Sequence, residues 1–354
     1  MHPAWQAFLA ERGAVFGDHD GEPCVAAFDH ADARGTTDAE LMDLSPLGLL
    51  RIEGPDAARF FQGYATADVN AIDGERSVAS ALCTREGRTI ATFRMWGRPD
   101  AITLRLHRAL IVPVRDLLAR YIVFSDAELT EPGDDLVGIG ITGPGAVDAL
   151  ADAGLPAPET GTAPTFERGT GTWTLLRNRG ALERYELWVS PEDAPGLWDT
   201  LAARAQPAPF TRWLANRIRG GFVELSPRTA GEYVPQALNL QALGLVDFDK
   251  GCYLGQEVVA RMQYLGKVKR RLFRFSLEAP EGRCPVLGTP VHEGGPEGKE
   301  VGEVIAAAPD NGRCEMLAVI RVDAADDALY VGDSRLTPEP LPYEVPPLRA
   351  AIEG

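Results

Sequence analysis

The chain has 354 residues, with 35 Lys and Arg against 51 Asp and Glu, a net charge of −16 and 45% hydrophobic content. That is the balance of a globular protein with chain enough for two or three domains. A pI near 4.8 argues against a general nucleic-acid binder, which needs a cationic face, and leaves local basic patches open. No apolar run approaches the roughly 20 residues of a membrane span. Met1-His2-Pro3-Ala4-Trp5-Gln6 lacks the basic-then-apolar pattern of a secretory leader, so the expected compartment is the cytoplasm.

In chain order, Pro3 to Glu11 reads as a short helix and the acidic stretch Gly17 to Thr37 as loop and hairpin. His19, Cys24 and His30, with Asp18 and Asp20, match no compact zinc spacing; a solvated acidic loop without metal is expected. Leu47 to Ile52 is a strand stopped by Gly54-Pro55. Ala57, Phe60 and Phe61 then recur at helical spacing before Gly63. Thr89 to Trp96 and Ile102 to Leu106 alternate as half-buried strands, and Pro113 to Tyr121 is helical.

Leu136 to Ile141 is again a strand, stopped by Gly143-Pro144. Ile52-Glu53-Gly54-Pro55-Asp56-Ala57 resembles Ile141-Thr142-Gly143-Pro144-Gly145-Ala146, which suggests two related strand–turn–helix units; chance similarity at a common turn is the alternative. Gly138, Gly140 and Gly143 satisfy G-x-G-x-x-G, but the first two lie inside the strand. The following Leu155 to Thr165 is Pro-rich loop, so no nicotinamide site is expected. Thr172 to Arg177 and Arg184 to Val189 pair as a hairpin around Gly180, followed by helices over Asp193 to Ala205 and Thr211 to Arg219. From Lys269 the texture changes to short runs broken by Gly and Pro: Phe273 to Leu277, Pro290 to His292, Val301 to Ala306 and Met316 to Val322. This is the pattern of a small β-barrel or sandwich. The expected domains are 1–133, 134–265 and 266–354. Neither G-x-S-x-G nor H-E-x-x-H occurs, which leaves Ser-triad hydrolases and zincins without support.

Cys24, Cys83, Cys252, Cys284 and Cys314 stand far apart with no C-x-x-C, and read as reduced thiols. One of them sits in a distinctive segment, Lys250-Gly251-Cys252-Tyr253-Leu254-Gly255-Gln256-Glu257. An ammonium beside a thiol favours the thiolate, and Gly251 and Gly255 permit positive φ and close approach. A helix starting at Gln256 would put Cys252 near its positive end, with Glu257 in the first turn opposing that effect. The alternative is a small buried hydrophobe in a Gly-rich turn.

K-G-C-Y-x-G-Q-E resembles the hallmark of the YgfZ family, folate-binding proteins that support iron–sulfur cluster assembly and maintenance. These are related in fold to the glycine-cleavage T-protein, an aminomethyltransferase. The likeness extends through Pro235-Gln236-Ala237-Leu238-Asn239-Leu240, Val259-Ala260-Arg261, Phe60-Phe61-Gln62-Gly63 and Glu53-Gly54-Pro55. It implies an α+β, T-protein-like fold: two α+β subdomains plus a C-terminal small β-barrel around a central cavity. The implied cofactor is tetrahydrofolate or a one-carbon derivative, and the implied partners are iron–sulfur proteins or their assembly machinery. Cys252 is then the reactive thiol and Lys250 tunes it. Gly251, Tyr253 and Gly255 shape the loop, and Gln256 and Glu257 orient it by hydrogen bonds.

T-protein carries an acidic pair after a Gly-rich hairpin. The matching stretch, Glu86 to Phe93, has Ala91 and Thr92 there, which leaves no carboxylate for aminomethyl transfer. For the folate, the resemblance points to Glu186 as the carboxylate pairing with the pterin, to Arg217 as a partner of the tail carboxylates, and to Asn239 as a further contact. An exposed strand carboxylate and a solvated helix arginine are the alternatives for Glu186 and Arg217. Lys267, Lys269, Arg270, Arg271 and Arg274 form the one concentrated basic run: either an attraction for an anionic ligand or a solvated rim.

The expected function is a tetrahydrofolate-binding accessory protein for iron–sulfur cluster assembly or maintenance. The alternatives are a folate-dependent aminomethyltransferase and a thiol–disulfide redox protein pairing Cys252 with Cys284 or Cys314. One motif cysteine cannot supply the four ligands of a stable cluster.

Overall fold

Pro3 has no N–H to satisfy and sits in the first turn of helix α1 (Pro3–Glu11), which buries Trp5 and Leu9. The structure is a computed structural model describing residues 1–29, 38–133, 135–169, 171–178, 183–279 and 282–345. Strands β1 (Ala14–His19) and β2 (Glu22–Phe28) form an antiparallel hairpin. The hairpin expected within Gly17–Thr37 is thus present up to Phe28, and Cys24 is buried in β2 rather than in a solvated loop. His30, and Gly180 in the later hairpin, lie outside the described residues.

Next come β3 (Glu40–Asp43), β4 (Leu47–Glu53) and α2 (Ala57–Gln62), then β5 (Ser77–Cys83), β6 (Thr89–Arg98), β7 (Ala101–His107), α3 (Ile111–Ile122) and β8 (Glu128–Thr130). The second stretch holds β9 (Val137–Thr142), α4 (Ala146–Asp152), β10 (Thr165–Arg168), β11 (Gly171–Arg177), β12 (Arg184–Val189), α5 (Ala194–Ala202), β13 (Gln206–Pro207) and α6 (Phe210–Arg219). The two Gly-Pro turns are equivalent. Gly54 after β4 (φ 129°) and Gly143 after β9 (φ 109°) both take backbone conformations that L side chains avoid. A Cβ there would collide with the Asp126 and Asp38 carbonyl oxygens respectively. Gly138 and Gly140 lie within β9, where a Cβ would crowd Trp188 and Trp213 at 2.9 Å, so close packing explains the glycine fingerprint.

The strands form a five-stranded sheet in the order β5-β6-β7-β4-β8 and a six-stranded sheet in the order β10-β11-β12-β9-β3-β13. Around the latter, Trp5, Leu9, Ile139, Ile141, Trp173 and Trp198 belong to one buried cluster.

After α7 (Gln256–Tyr264) come β14 (Arg270–Glu278), β15 (Pro290–Glu293), β16 (Lys299–Asp310) and β17 (Arg313–Arg321). The short β18 (Leu329–Val331), β19 (Ser334–Arg335) and β20 (Thr337–Glu339) follow. They make a nearly closed seven-stranded barrel, ordered β19-β18-β15-β16-β17-β14-β20, around Phe275, Val291, Val304, Met316 and Ile320. Cys314 of β17 and Cys284, ahead of β15, are disulfide-bonded with Cα atoms 5.6 Å apart. This corrects the expectation of five reduced thiols: packing of the segment between β14 and β15 against the barrel core brings together two cysteines whose spacing carries no signal.

Packing divides the chain into two compact units built from interleaved segments. The first comprises Met1–Phe61, Val69–Val78 and Phe93–Trp213; the second comprises Gln62–Asp68, Ala79–Thr92 and the chain from Leu214 onward. Among the described residues no helix is long and apolar enough to cross a membrane.

Candidate functional site

The Cys252 segment lies in the second unit, where a run of backbone carbonyls decides its shape. Lys250 is buried, and its Nζ donates to the carbonyl oxygens of Gln62 (2.9 Å), Ala65 (2.6 Å) and Ala67 (3.0 Å). The ammonium also sits 5.4 Å from the centroid of the Tyr253 ring. Three donors meeting three carbonyls satisfy the cation completely. Burial still draws its pKa down to about 8, against the carboxylates of Asp68 and Asp247, which hold it up. What the geometry gives Lys250 is a structural task, clipping the turn to residues 62–67.

The rest of the turn is fixed from both sides. Asp247 Oδ1 accepts from the N–H groups of Asp249 (2.8 Å) and Lys250 (3.2 Å), and the Leu254 N–H donates to the Gly63 carbonyl (2.9 Å). Gly255 caps α7 at φ 83°, and a Cβ on it would run into the Thr84 carbonyl oxygen. Only glycine fits there. Gly251 differs from the expectation: a Cβ would meet nothing within 4 Å, so it leaves the space beside Cys252 open rather than filling a steric need. Helix α7 begins at Gln256, as its sequence suggests.

Between these anchors Cys252 presents a free, exposed thiol, so the buried-hydrophobe alternative does not hold. Tyr253 is buried. Its hydroxyl is pushed above the ordinary phenol range by burial first and by Cys83 and Asp247 second. Glu257 pairs in solvent with Arg261 at 2.8 Å. Cys83, fully buried, is pushed up to about 12 by burial. Among the five cysteines only Cys252 is both unbridged and open to a partner.

The expected folate contacts are engaged elsewhere. Glu186 on β12 is fully buried, which removes the exposed-carboxylate alternative. Its Oε1 accepts from Arg105 (2.8 Å) and Asn178 (2.9 Å), and its Oε2 from Arg105 Nε (3.0 Å) and Trp188 Nε1 (3.4 Å). The Arg105 guanidinium thus pairs with this carboxylate in bidentate fashion. Arg217 is likewise buried, not solvated; it pairs with Glu224 at 3.3 Å and lies 4.4 Å from the Phe222 ring centroid. Asn239, at φ 56°, donates through Nδ2 to the Leu272 carbonyl (2.9 Å), tying the 235–245 segment to β14. None of Arg105, Asn178 or the 62–67 carbonyls was legible beforehand. Backbone oxygens carry no side-chain signature, and Arg105 lies far from Glu186 in the chain.

Ala91 and Thr92, where the sequence resemblance leads one to look for an acidic pair, are both buried. The Thr92 hydroxyl donates to the Val223 carbonyl (3.3 Å) and accepts from the Leu225 N–H (3.2 Å). It fastens one segment to another and has no carboxylate's capacity to take a proton. The basic run is not uniform. Lys267, Lys269 and Arg270 are exposed, whereas Arg274 pairs with Glu315 at 2.9 Å.

No family model matches the chain. A curated relative, the tRNA-modifying protein YgfZ of Yersinia pseudotuberculosis serotype IB (strain PB1/+), is 34% identical over 311 residues, covering 86% of this chain and 92% of the relative. The protein of the same description from Pectobacterium carotovorum subsp. carotovorum (strain PC1) is 32% identical over 311 residues with the same coverage. Among solved structures, the glycine cleavage system aminomethyltransferase T of Bartonella henselae superposes with a TM-score of 0.77. It covers 96% of each chain at 15% identity, a likeness of fold.

Proposed function

The chain belongs to the YgfZ family, and from that premise we propose that it is an accessory protein of iron–sulfur cluster assembly or maintenance that binds reduced folate and works through the Cys252 thiol. The observation that carries the reading is the single free, exposed cysteine held on a turn whose neighbours are pinned from beneath by the Lys250 ammonium. Such a thiol meets a partner at the surface, where cluster iron or a cluster-derived group is the cargo.

The relatives' description names tRNA modification. A chain of net charge −16 is a poor platform for phosphate contacts, so we place this protein upstream of that chemistry, sustaining an iron–sulfur enzyme that performs it. Aminomethyl transfer is not part of the proposal, because Ala91 and Thr92 supply no carboxylate. Nor is a disulfide from Cys252 to Cys284 or Cys314, since those two are bonded to each other. Glu186, Arg217 and Asn239 make internal contacts in this structure, so no step is derived through the folate and no residue is assigned to it.

The test has two arms. Anaerobic calorimetric titration of tetrahydrofolate into wild type and Cys252→Ala should give equal binding; binding by neither removes the folate from the proposal. In cells lacking the protein, Cys252→Ser should fail to restore the activity of an iron–sulfur tRNA-modifying enzyme. Full restoration removes the thiol from it.

A further inference from the structure

We propose that His19, Asp20 and His107 form a binding site for a divalent transition-metal ion in the first unit. Strands β1 and β2 are joined through Asp20 and Gly21, flanked by the His19–Glu22 pair. Both turn residues have positive φ, 52° and 90°, the geometry of a two-residue type I′ hairpin. Asp18 Oδ1 accepts the Gly21 N–H at 3.0 Å and tightens it further. This stiff turn delivers an imidazole and a carboxylate side by side. The third group comes from the end of β7, far along the chain, where His107 is 2% exposed.

One ligand atom from each of the three lies within 4.8 Å of the others. Tetrahedral coordination places donors about 3.3 Å apart, given metal–ligand bonds of about 2.0–2.1 Å. Closing the remaining distance asks for small rotations of His19 and Asp20, both only partly buried at the hairpin tip. The His19 ring is already steered: its centroid is 5.2 Å from that of Phe210 and 5.7 Å from that of His107.

His107 shows which atom would ligate. Its Nδ1 accepts the Ala109 N–H at 3.3 Å, so Nε2 carries the ring proton and faces away from that contact. Binding a metal at Nε2 moves the proton to Nδ1, with no net proton released, and gives up the long Ala109 contact. That loss is small against a metal–imidazole bond. Two imidazoles and one carboxylate are the donor set of Zn²⁺ and of facial-triad Fe²⁺, and a poor one for Mg²⁺ or Ca²⁺.

The experiment uses the full, tag-free chain carrying Cys252→Ser, so that the exposed thiol takes no metal. Co²⁺ is titrated while its visible d–d absorption is followed, and Zn²⁺ is then added as competitor in a calorimeter. The expected result is one ion per chain, displaced by Zn²⁺, with His19→Ala and Asp20→Asn each weakening binding by about 100-fold or more. Both variants sit on the hairpin tip, and Asn tolerates positive φ, so neither removes a core residue. Absence of a one-to-one Co²⁺ complex overturns the proposal, as does binding that survives His19→Ala unchanged. Neither outcome bears on folate or iron–sulfur client activity.

Discussion

At the scale of single residues, the two functional side chains of the motif divide their labour by burial. Cys252 is open and Lys250 is closed in. A thiol reagent such as DTNB should therefore titrate one cysteine in the native chain, and Cys252→Ser should abolish that reaction. Cys24 and Cys83, whose thiols burial raises to about 11 and about 12, should react only on unfolding. Two or more fast native thiols would contradict the burial pattern. Lys250 makes a pH prediction. Its pKa falls from 10.5 in the unfolded chain to about 8 in the fold, so between those values the unfolded chain binds the extra proton. The stability Lys250 contributes then rises with pH across that window. In urea unfolding, the gap between wild type and Lys250→Met should widen from about pH 8 to 10.5, with a slope approaching about 1.4 kcal/mol per pH unit. A gap that narrows would show that the carbonyl cage keeps the ammonium protonated more strongly than burial discharges it.

At the scale of elements, the start of α7 and the hairpin from Cys83 to Thr89 are built for each other. Gly255 lies against the Thr84 carbonyl and Gly87 against Val258. Gly255→Ala combines a left-handed backbone with a steric collision and should cost about 2 kcal/mol or more in denaturant unfolding. Gly251→Ala, with open space around it, should stay within about 0.5 kcal/mol. Equal losses at both glycines would mean that the turn is held by something other than this contact. Much of this element was legible: Gln256 as the first helical residue and Gly255 before it follow from local sequence. The partner it packs on was not, because Thr84 contributes a backbone oxygen that any residue would supply.

For the whole molecule, the surplus of 16 acidic charges sets what can approach. In a gel-shift assay with bulk tRNA at physiological salt, the chain should form no complex. One whose affinity fell steeply with added salt would instead place direct phosphate contacts on this protein. The charge balance also makes the clustering of Lys267, Lys269 and Arg270 notable, since these exposed cations follow directly on α7.

Sequence alone determined the strand–Gly-Pro–helix repeat, the late all-β region and the eight-residue motif. Each of these rests on local causes: side-chain periodicity, turn stereochemistry, and residue types adjacent in the chain. Tertiary structure alone decided that Lys250 is caged by three carbonyls, that Glu186 is buried against Arg105, and that Cys284 bonds Cys314. It also decided that the hairpin tip meets His107. In every one of these the partner comes from a distant segment or from the backbone. Strand order and burial then choose it, and neither is encoded in the spacing of the residues concerned.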